Sequence, residues 1–310
     1  MPVEWPDAID EILAGDLCAG LAYLTPAEGV VIAPMAPLAL RDRSAGTLAV
    51  TTSLAMWRKL DRIRRHDAVA VAFHAREYGL SRRPEFVLVQ GRASFDPTPD
   101  RAWLESITPQ WDRFLGPRHH GVRGRMMAAY YWERVAITIV IERVVAYPDT
   151  TASGDPVVYG AARAEPAPSQ AEPKGGTAPR VDVAKVAAAA RRLPHTLLGW
   201  AGSDGLPDVV PASVAGAGDT GDAGVRLTVP DGVPVGGRRA GLTSHQFQPR
   251  MVGQEQRVHT GWLERDDDGV RYAPHTRAGY RMPASSALFV LASSVMTSAR
   301  LRGAKRALAS

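Results

Sequence analysis

The chain has a single cysteine, Cys18, in 310 residues. No disulfide can form within it, no cysteine-rich metal site can be built, and a reducing compartment suits such a composition. Long apolar runs are also missing, since none approaches the roughly 20 residues that cross a bilayer as a helix. The first residues, MPVEWPDAIDEIL, are acidic rather than basic-then-apolar, so they read as a short helix and not as a signal peptide. The expectation is a cytoplasmic protein without membrane contact. There is no Walker loop and no serine nucleophile elbow. His119 and His120 are adjacent and have no Glu or third His at ligand spacing, so no metal is expected. One glycine pattern, Gly216-Ala-Gly218-Asp-Thr-Gly221, has the spacing of a dinucleotide fingerprint. That fingerprint needs a helix after the glycines, and Val225 to Val229 reads as a strand, so a hairpin loop is expected there instead. No residue pattern nominates a general base.

What is present is moderate in kind. Hydrophobic residues make up 45% and charged residues 22%, as in a soluble globular protein, and the length is comfortable for two domains. The net charge of +5 fits an anionic ligand, and an Arg-rich composition alone produces it too. No aromatic-interleaved basic groove argues for nucleic acid.

The stretch from Thr47 to Phe73, TLAVTTSLAMWRKLDRIRRHDAVAVAF, organises the rest. Thr47 to Thr52 is a strand of β-branched and small residues. Ser53 can cap a following helix by accepting one of its first free N–H groups. Met56, Leu60 and Ile63 then form an apolar stripe and Arg58, Arg62 and Arg65 a basic one, with Lys59 beside it. Ala68 to Phe73 is a second strand. Hydroxyls and N–H groups at a helix start, with an Arg and a Lys near, suit a phosphate. The same pattern also suits an ordinary solvated basic face.

Around this unit, Leu21 to Ala39 reads as two strands, the second broken by Pro34 and Pro37. Phe86 to Ala93 and Val135 to Tyr147 are further strands. Between them, Thr98 and Pro99 are expected to start a helix, and Gly116 to Arg125 to form a loop. Residues 149–180 are dominated by Ala, Pro, Gly, Ser and Thr and read as a linker, largely mobile. Residues 181–310 then repeat the layout. An alanine-rich helix over Val181 to Arg192 leads into strands at Thr196 to Ala201, Asp208 to Ala215, Val225 to Val229, Arg238 to Phe247, Arg257 to Arg265 and Arg271 to Tyr280. A C-terminal helix over Ser285 to Ala309 closes the chain. His74, His245 and His259 are candidates for pocket lining.

The region Leu21 to Tyr147 resembles the flavin-binding split β-barrel, the pyridoxamine 5′-phosphate oxidase-like superfamily, which includes flavin- and deazaflavin-dependent oxidoreductases. The resemblance rests on the order strand, Thr/Ser turn, Arg-Lys helix, strand, and then the strand carrying Gln90-Gly91. It implies a β-rich α+β fold of tandem split β-barrels with short flanking helices. The first barrel would span residues 1–148 and a second, divergent one residues 181–310. It implies that Thr51, Thr52 and Ser53, with Arg58 and Lys59, hold the phosphate of FMN or of the deazaflavin F420. Gln90 and Gly91 would pass beside the ring or the ribityl chain. The oxidase subgroup carries Arg-Gln where this chain has Glu85-Phe86, which sets the chain apart from the vitamin B6 oxidase reaction. The implied activity is hydride transfer to or from a small organic substrate. The alternative is a non-catalytic storage or sensing protein for flavin, F420 or haem, with His74 or His245 as the axial ligand of a haem. Barrels of this family pair, so the two halves are expected to pair within one chain, or two chains as a homodimer. The second half's counterpart of the Arg-Lys unit is expected at Ser244 to Arg257, which contains no Arg-Lys pair, so one working phosphate site is expected.

Overall fold

A computed structural model describes residues 2–309 except 215–219, 222 and 223. The first half runs α1 (Asp7–Gly15), β1 (Cys18–Leu24), β2 (Val30–Met35), β3 (Arg41–Asp42), β4 (Thr47–Ser53), α2 (Trp57–Arg65), β5 (Ala68–Ala75) and β6 (Phe86–Ser94). Four short helices follow, α3 (Arg101–Ser106), α4 (Thr108–Leu115), α5 (Gly121–Met126) and α6 (Ala128–Trp132), and then β7 (Arg134–Tyr147) and β8 (Val157–Gly160). The second half runs α7 (Val183–Arg192), β9 (His195–Ala201), β10 (Pro207–Pro211), β11 (Ser213–Val214), β12 (Thr220–Gly221), β13 (Gly224–Thr228) and β14 (Gly236–Gln246). It ends with β15 (Glu255–Asp266), β16 (Gly269–Pro274), β17 (Ala278–Arg281) and the long α8 (Ser286–Ala309). Among the described residues no helix is long and apolar enough to cross a membrane.

The fold is a pair of split β-barrels. The first sheet has the order β2-β1-β5-β6-β7-β4-β3, and the second β10-β9-β14-β15-β16-β13-β11. These are the same order, strand for strand, with every neighbour antiparallel. The reason is visible in the local patterns. β5 (AVAVAFHA) is buried along its whole length and sits inside its sheet, whereas β7 alternates buried and exposed residues over its first part and is open on one face. Each half places a helix, α1 or α7, before its first strand, and each helix contributes to its own barrel's core through Ile9, Ile12 and Leu13 or through Val186 and Ala187.

The halves meet through β1, β2 and β5 on one side and β9, β10, β14 and β15 on the other. Small residues permit the approach. A Cβ on Gly241 would collide with the carbonyl oxygen of Val30, and one on Gly20 would lie 2.7 Å from Leu197 Cδ1. Ala22, Val30, Ile32, Ala70, Ala72, Leu197 and Val209 form the shared apolar layer. The Thr243 hydroxyl donates to the carbonyl of Ile32 at 2.9 Å and fixes the sliding register of the two sheets.

Several local expectations are corrected. Ser53 does cap, but its hydroxyl accepts from Ala55 N–H at 3.2 Å and starts a one-turn 3-10 helix, Leu54–Met56, ahead of α2. Asp100, not Thr98, caps α3, because its carboxylate reaches Trp103 N–H at 3.0 Å. The glycine- and histidine-rich stretch contains α5 instead of being loop throughout. Residues 149–180 carry β8, paired with β7, and are then tied down by side chains of both halves. Arg143 donates to Ala162 O at 2.7 Å, and Arg238 to Ala167 O at 2.7 Å. The expected strand Arg271 to Tyr280 is two strands, β16 and β17, separated at 275–277. Gly216 and Gly218 of the glycine pattern lie outside the described residues.

Candidate functional site

A cavity of about 650 Å³ lies between the halves. The first half supplies the β2 segment from Val31 to Met35, the end of β4 (Thr51, Thr52, Ser53) and the face of α2 bearing Arg58, Lys59 and Arg62. The second half supplies Gln256, Val258 and Thr260 of β15, the segment Thr276 to Tyr280, and one face of α8. The five residues of the Thr51–Lys59 stretch are therefore brought to one wall by a local turn. β4 ends, the 3-10 turn reverses the chain, and α2 begins with Arg58 and Lys59 beside the three hydroxyls.

The charge pattern of this wall is one-sided. Arg58, Lys59, Arg62, Arg134, Arg277 and Arg300 line the cavity, and among the described residues no Asp or Glu does. Lys59 is set deep in protein surroundings, although its side chain keeps some access to the cavity's own solvent. That desolvation, with the Arg134 guanidinium nearby, pushes its ammonium down to about 7. A bound anion reverses this, because it stabilises the charged ammonium. Arg134 stands opposite Ser53 at the start of β7 and donates to the Thr51 hydroxyl at 2.7 Å. Its guanidinium also lies 5.2 Å from the Trp111 ring and 5.5 Å from the Tyr130 ring, which hold it in place. Sequence reading missed Arg134, Arg277 and Arg300. Arg134 could have been found from the register of β4 on β7, but the other two arrive from distant segments with no local signature.

Gln90 and Gly91 are not brought to this cavity. Gly91 and Gly261 occupy matching places, since a Cβ on either would strike the carbonyl of the neighbouring strand, Val140 O or Ala273 O. Val69 lies opposite Gly91 and Ala240 opposite Gly261, so the two halves can be aligned residue by residue from these glycines. Gln90 then matches Thr260. Thr260 lines the cavity, whereas Gln90 faces the equivalent space on the other side, beside β10. Around Gln90 that space is filled by protein groups. Gln90 donates to Pro207 O at 2.8 Å and accepts from Arg143 Nε at 2.7 Å. Arg143 also donates to Asp204 at 2.9 Å.

The same alignment corrects the expected counterpart of the Arg-Lys unit. Between β13 and β14, where the first half has the 3-10 turn and α2 between β4 and β5, the second half has only the connection 229–235. Ser244 to Arg257 instead runs from the end of β14, the β5 equivalent, into the start of β15. The second half lacks the helix itself and not merely its basic residues.

The alignment also puts His74 and His245 at matching positions, and they meet where the halves cross. Their Nε2 atoms are 2.7 Å apart, and His74 Nδ1 lies 3.0 Å from Ala72 O. With the His74 proton on Nδ1, His245 Nε2–H donates to His74. Burial pushes His74 down to about 3 and His245 well below the usual histidine range, so both are neutral. An axial bond from either Nε2 to a haem iron would have to break this pair. His74 borders a separate cavity of about 590 Å³ with His195 and Glu77, whose carboxylate lies 3.2 Å from His195 Nε2. His245 and His259 line neither cavity. Among the described residues, no group of three or more His, Cys, Asp or Glu is placed to hold a metal ion.

No family model matches this chain, and no curated protein matches it. Solved structures do. A conserved hypothetical protein from Mycobacterium tuberculosis is 20% identical, with 48% of this chain and 88% of that one covered and a TM-score of 0.36. A pyridoxamine 5′-phosphate oxidase-related, FMN-binding protein from Nostoc punctiforme is 13% identical, over 46% and 84%, at 0.32. A protein described as an F420 reductase is 19% identical, over 44% and 94%, at 0.32. Each covers about one half of this chain.

Proposed function

We propose that the cavity between the halves binds FMN or the deazaflavin F420, and that the protein is an oxidoreductase moving a hydride to or from a small organic substrate. The observation that carries this reading is the lining: six cationic side chains, three hydroxyls at a strand end, and, among the described residues, no carboxylate. A phosphate fits that chemistry, because ionised oxygens accept short charge-assisted hydrogen bonds from Arg and Lys. Thr52, Ser53, Arg58 and Lys59 would hold it, with Thr51 oriented by Arg134. Apolar lining at Met35, Leu38, Leu115, Met251 and Phe289 suits a flat ring. The ring supplies the hydride chemistry when bound, and the chain supplies binding and orientation. One chain provides both walls, and the tandem halves would descend from a duplication in which only the first kept its phosphate helix. One cofactor per chain is expected.

The test is cofactor affinity of Arg58→Ala/Lys59→Ala. Each lost charge-assisted bond is worth about 1.5–3 kcal/mol, so affinity for FMN or F420 should fall at least about 100-fold. Unchanged affinity would remove the site assignment. A non-catalytic protein that stores or senses the cofactor would use the same wall. Reduction of the bound cofactor without any turnover of substrates would favour that second reading.

A further inference from the structure

α8 follows the last strand of the second barrel, has no equivalent element after the last strand of the first, and packs on the 3-10 turn and on α5 and α6 of the first half. Phe289, Ser293, Met296, Thr297 and Arg300 all line the cavity. Their spacing of three and four residues puts them on one face of the helix, while Leu288, Leu291 and Val295 face outward. This face changes character along its length. Phe289 stands against Tyr130, with ring centroids 6.2 Å apart. Ser293 and Thr297 are 1% and 2% exposed. Arg300 reaches the other end, where its Nη1 lies 3.5 Å from the sulfur of Met56, two residues before Arg58. From Ser293 to Arg300 the helix rises about 10 Å.

The Ser293 hydroxyl is the feature that needs explaining. It is buried and has no hydrogen-bond partner. A buried hydroxyl without a partner carries a desolvation cost, and on an exposed or purely structural helix face it would be bonded to water or to a backbone carbonyl. Here it borders a cavity large enough for a ligand.

We propose that α8 is the long wall of the cofactor site and reads the ligand from ring to phosphate. Ser293 and Thr297 meet hydroxyls of the polyol chain, and Arg300 joins Arg58 and Lys59 on the phosphate. This rests on the binding of a ring–polyol–phosphate cofactor proposed above, and adds a second wall that the barrel alone does not contain. Phe289 and Tyr130 bound the ring end. The order of chemistry along the helix, aromatic then hydroxyl then guanidinium, matches the order of groups in such a cofactor.

The experiment is titration of the full chain with FMN and with F420, for wild type, Ser293→Ala, Thr297→Val, Arg300→Gln and Arg58→Ala/Lys59→Ala. The thermal midpoint of each ligand-free protein is measured alongside. Ser293→Ala removes an unpartnered hydroxyl, so the ligand-free protein should be as stable as wild type or more so, while cofactor affinity falls about tenfold. Arg300→Gln should lower affinity by about tenfold or more, with a weaker salt dependence of binding than wild type. Cofactor affinity unchanged in Ser293→Ala and Arg300→Gln, with Arg58→Ala/Lys59→Ala weakened, would overturn the role of α8 and leave the phosphate site standing. A wild-type protein that binds neither cofactor would overturn both.

Discussion

The two spaces between the barrels are related by the same strand order, yet one is a cavity rich in cations and the other is packed around Gln90, leaving open the cavity that His74, His195 and Glu77 border. On the cavity side, Thr260 leaves room and α2 turns Arg58, Lys59 and Arg62 to the lining, while its Asp61 pairs with Arg64 and Arg65. On the filled side, Gln90 stands where Thr260 does in the alignment, and it is held by Arg143, Pro207 and Asp208. Arg143 is 3% exposed and is neutralised by Asp204. A buried charge is tolerated when its partners are protein groups and invites a ligand when they are missing. Identical topology therefore yields a packed interface on one side and a candidate anion site on the other. The difference comes from a few side chains and from the lack of a helix between β13 and β14.

The comparison breaks most sharply at Arg143. Arg143→Ala would leave Gln90 Oε1 and the Ala162 carbonyl without their donor on the packed side, and each buried acceptor left unpaired costs about 1–3 kcal/mol. Denaturant unfolding should show that loss, with cofactor binding intact in the protein that remains folded. A loss below about 1 kcal/mol would mean the filled side is not held as described.

Acid acts on the histidine pair where the halves cross. His74 and His245 are neutral because burial lowers both. Below the ordinary histidine value of about 6.5 the unfolded chain takes up protons that the folded chain refuses, so stability falls as pH falls. For two such groups the loss between pH 6.5 and 5.5 is about 2 kcal/mol. His74→Gln/His245→Gln should flatten that dependence, and an unchanged slope would place its origin elsewhere.

On the cavity side the smallest effect is also a pH effect, of opposite sense. Lys59 titrates near 7 without an anion and is held charged by one. Affinity for a phosphate-bearing ligand should therefore fall as pH rises above about 7, by at most tenfold per unit. Binding at pH 8 should take up protons from the buffer, as calorimetry in two buffers of different ionisation enthalpy would report. Lys59→Arg should remove the dependence, because a guanidinium stays charged throughout.

The strands were legible because β-branched runs such as AVAVAF and RVAITIVIERVVAY carry their own signal. So was the Thr51–Lys59 wall, whose residues are neighbours in sequence and need only one turn to converge. The helices between β6 and β7 were blurred, because GPRHHGVRGR is rich in turn formers and α5 inside it buries none of its own residues. Gln90 was placed on the right strand, but its face was not readable. Which side of the sheet looks into the cavity depends on how the other barrel sits, and the Cβ clashes that set this approach arise at Gly20 and Gly241, far apart in sequence. Arg277, Ser293 and Arg300 were illegible for the same reason: only the folded pair of barrels brings them to α2.

The most direct test of a single cofactor site between the barrels is cofactor stoichiometry. Titration of the purified full chain with FMN and with F420, followed by absorbance and calorimetry, should saturate at one equivalent per chain and be lost in Arg58→Ala/Lys59→Ala. Saturation at two equivalents, or binding unaffected by those substitutions, would contradict the account.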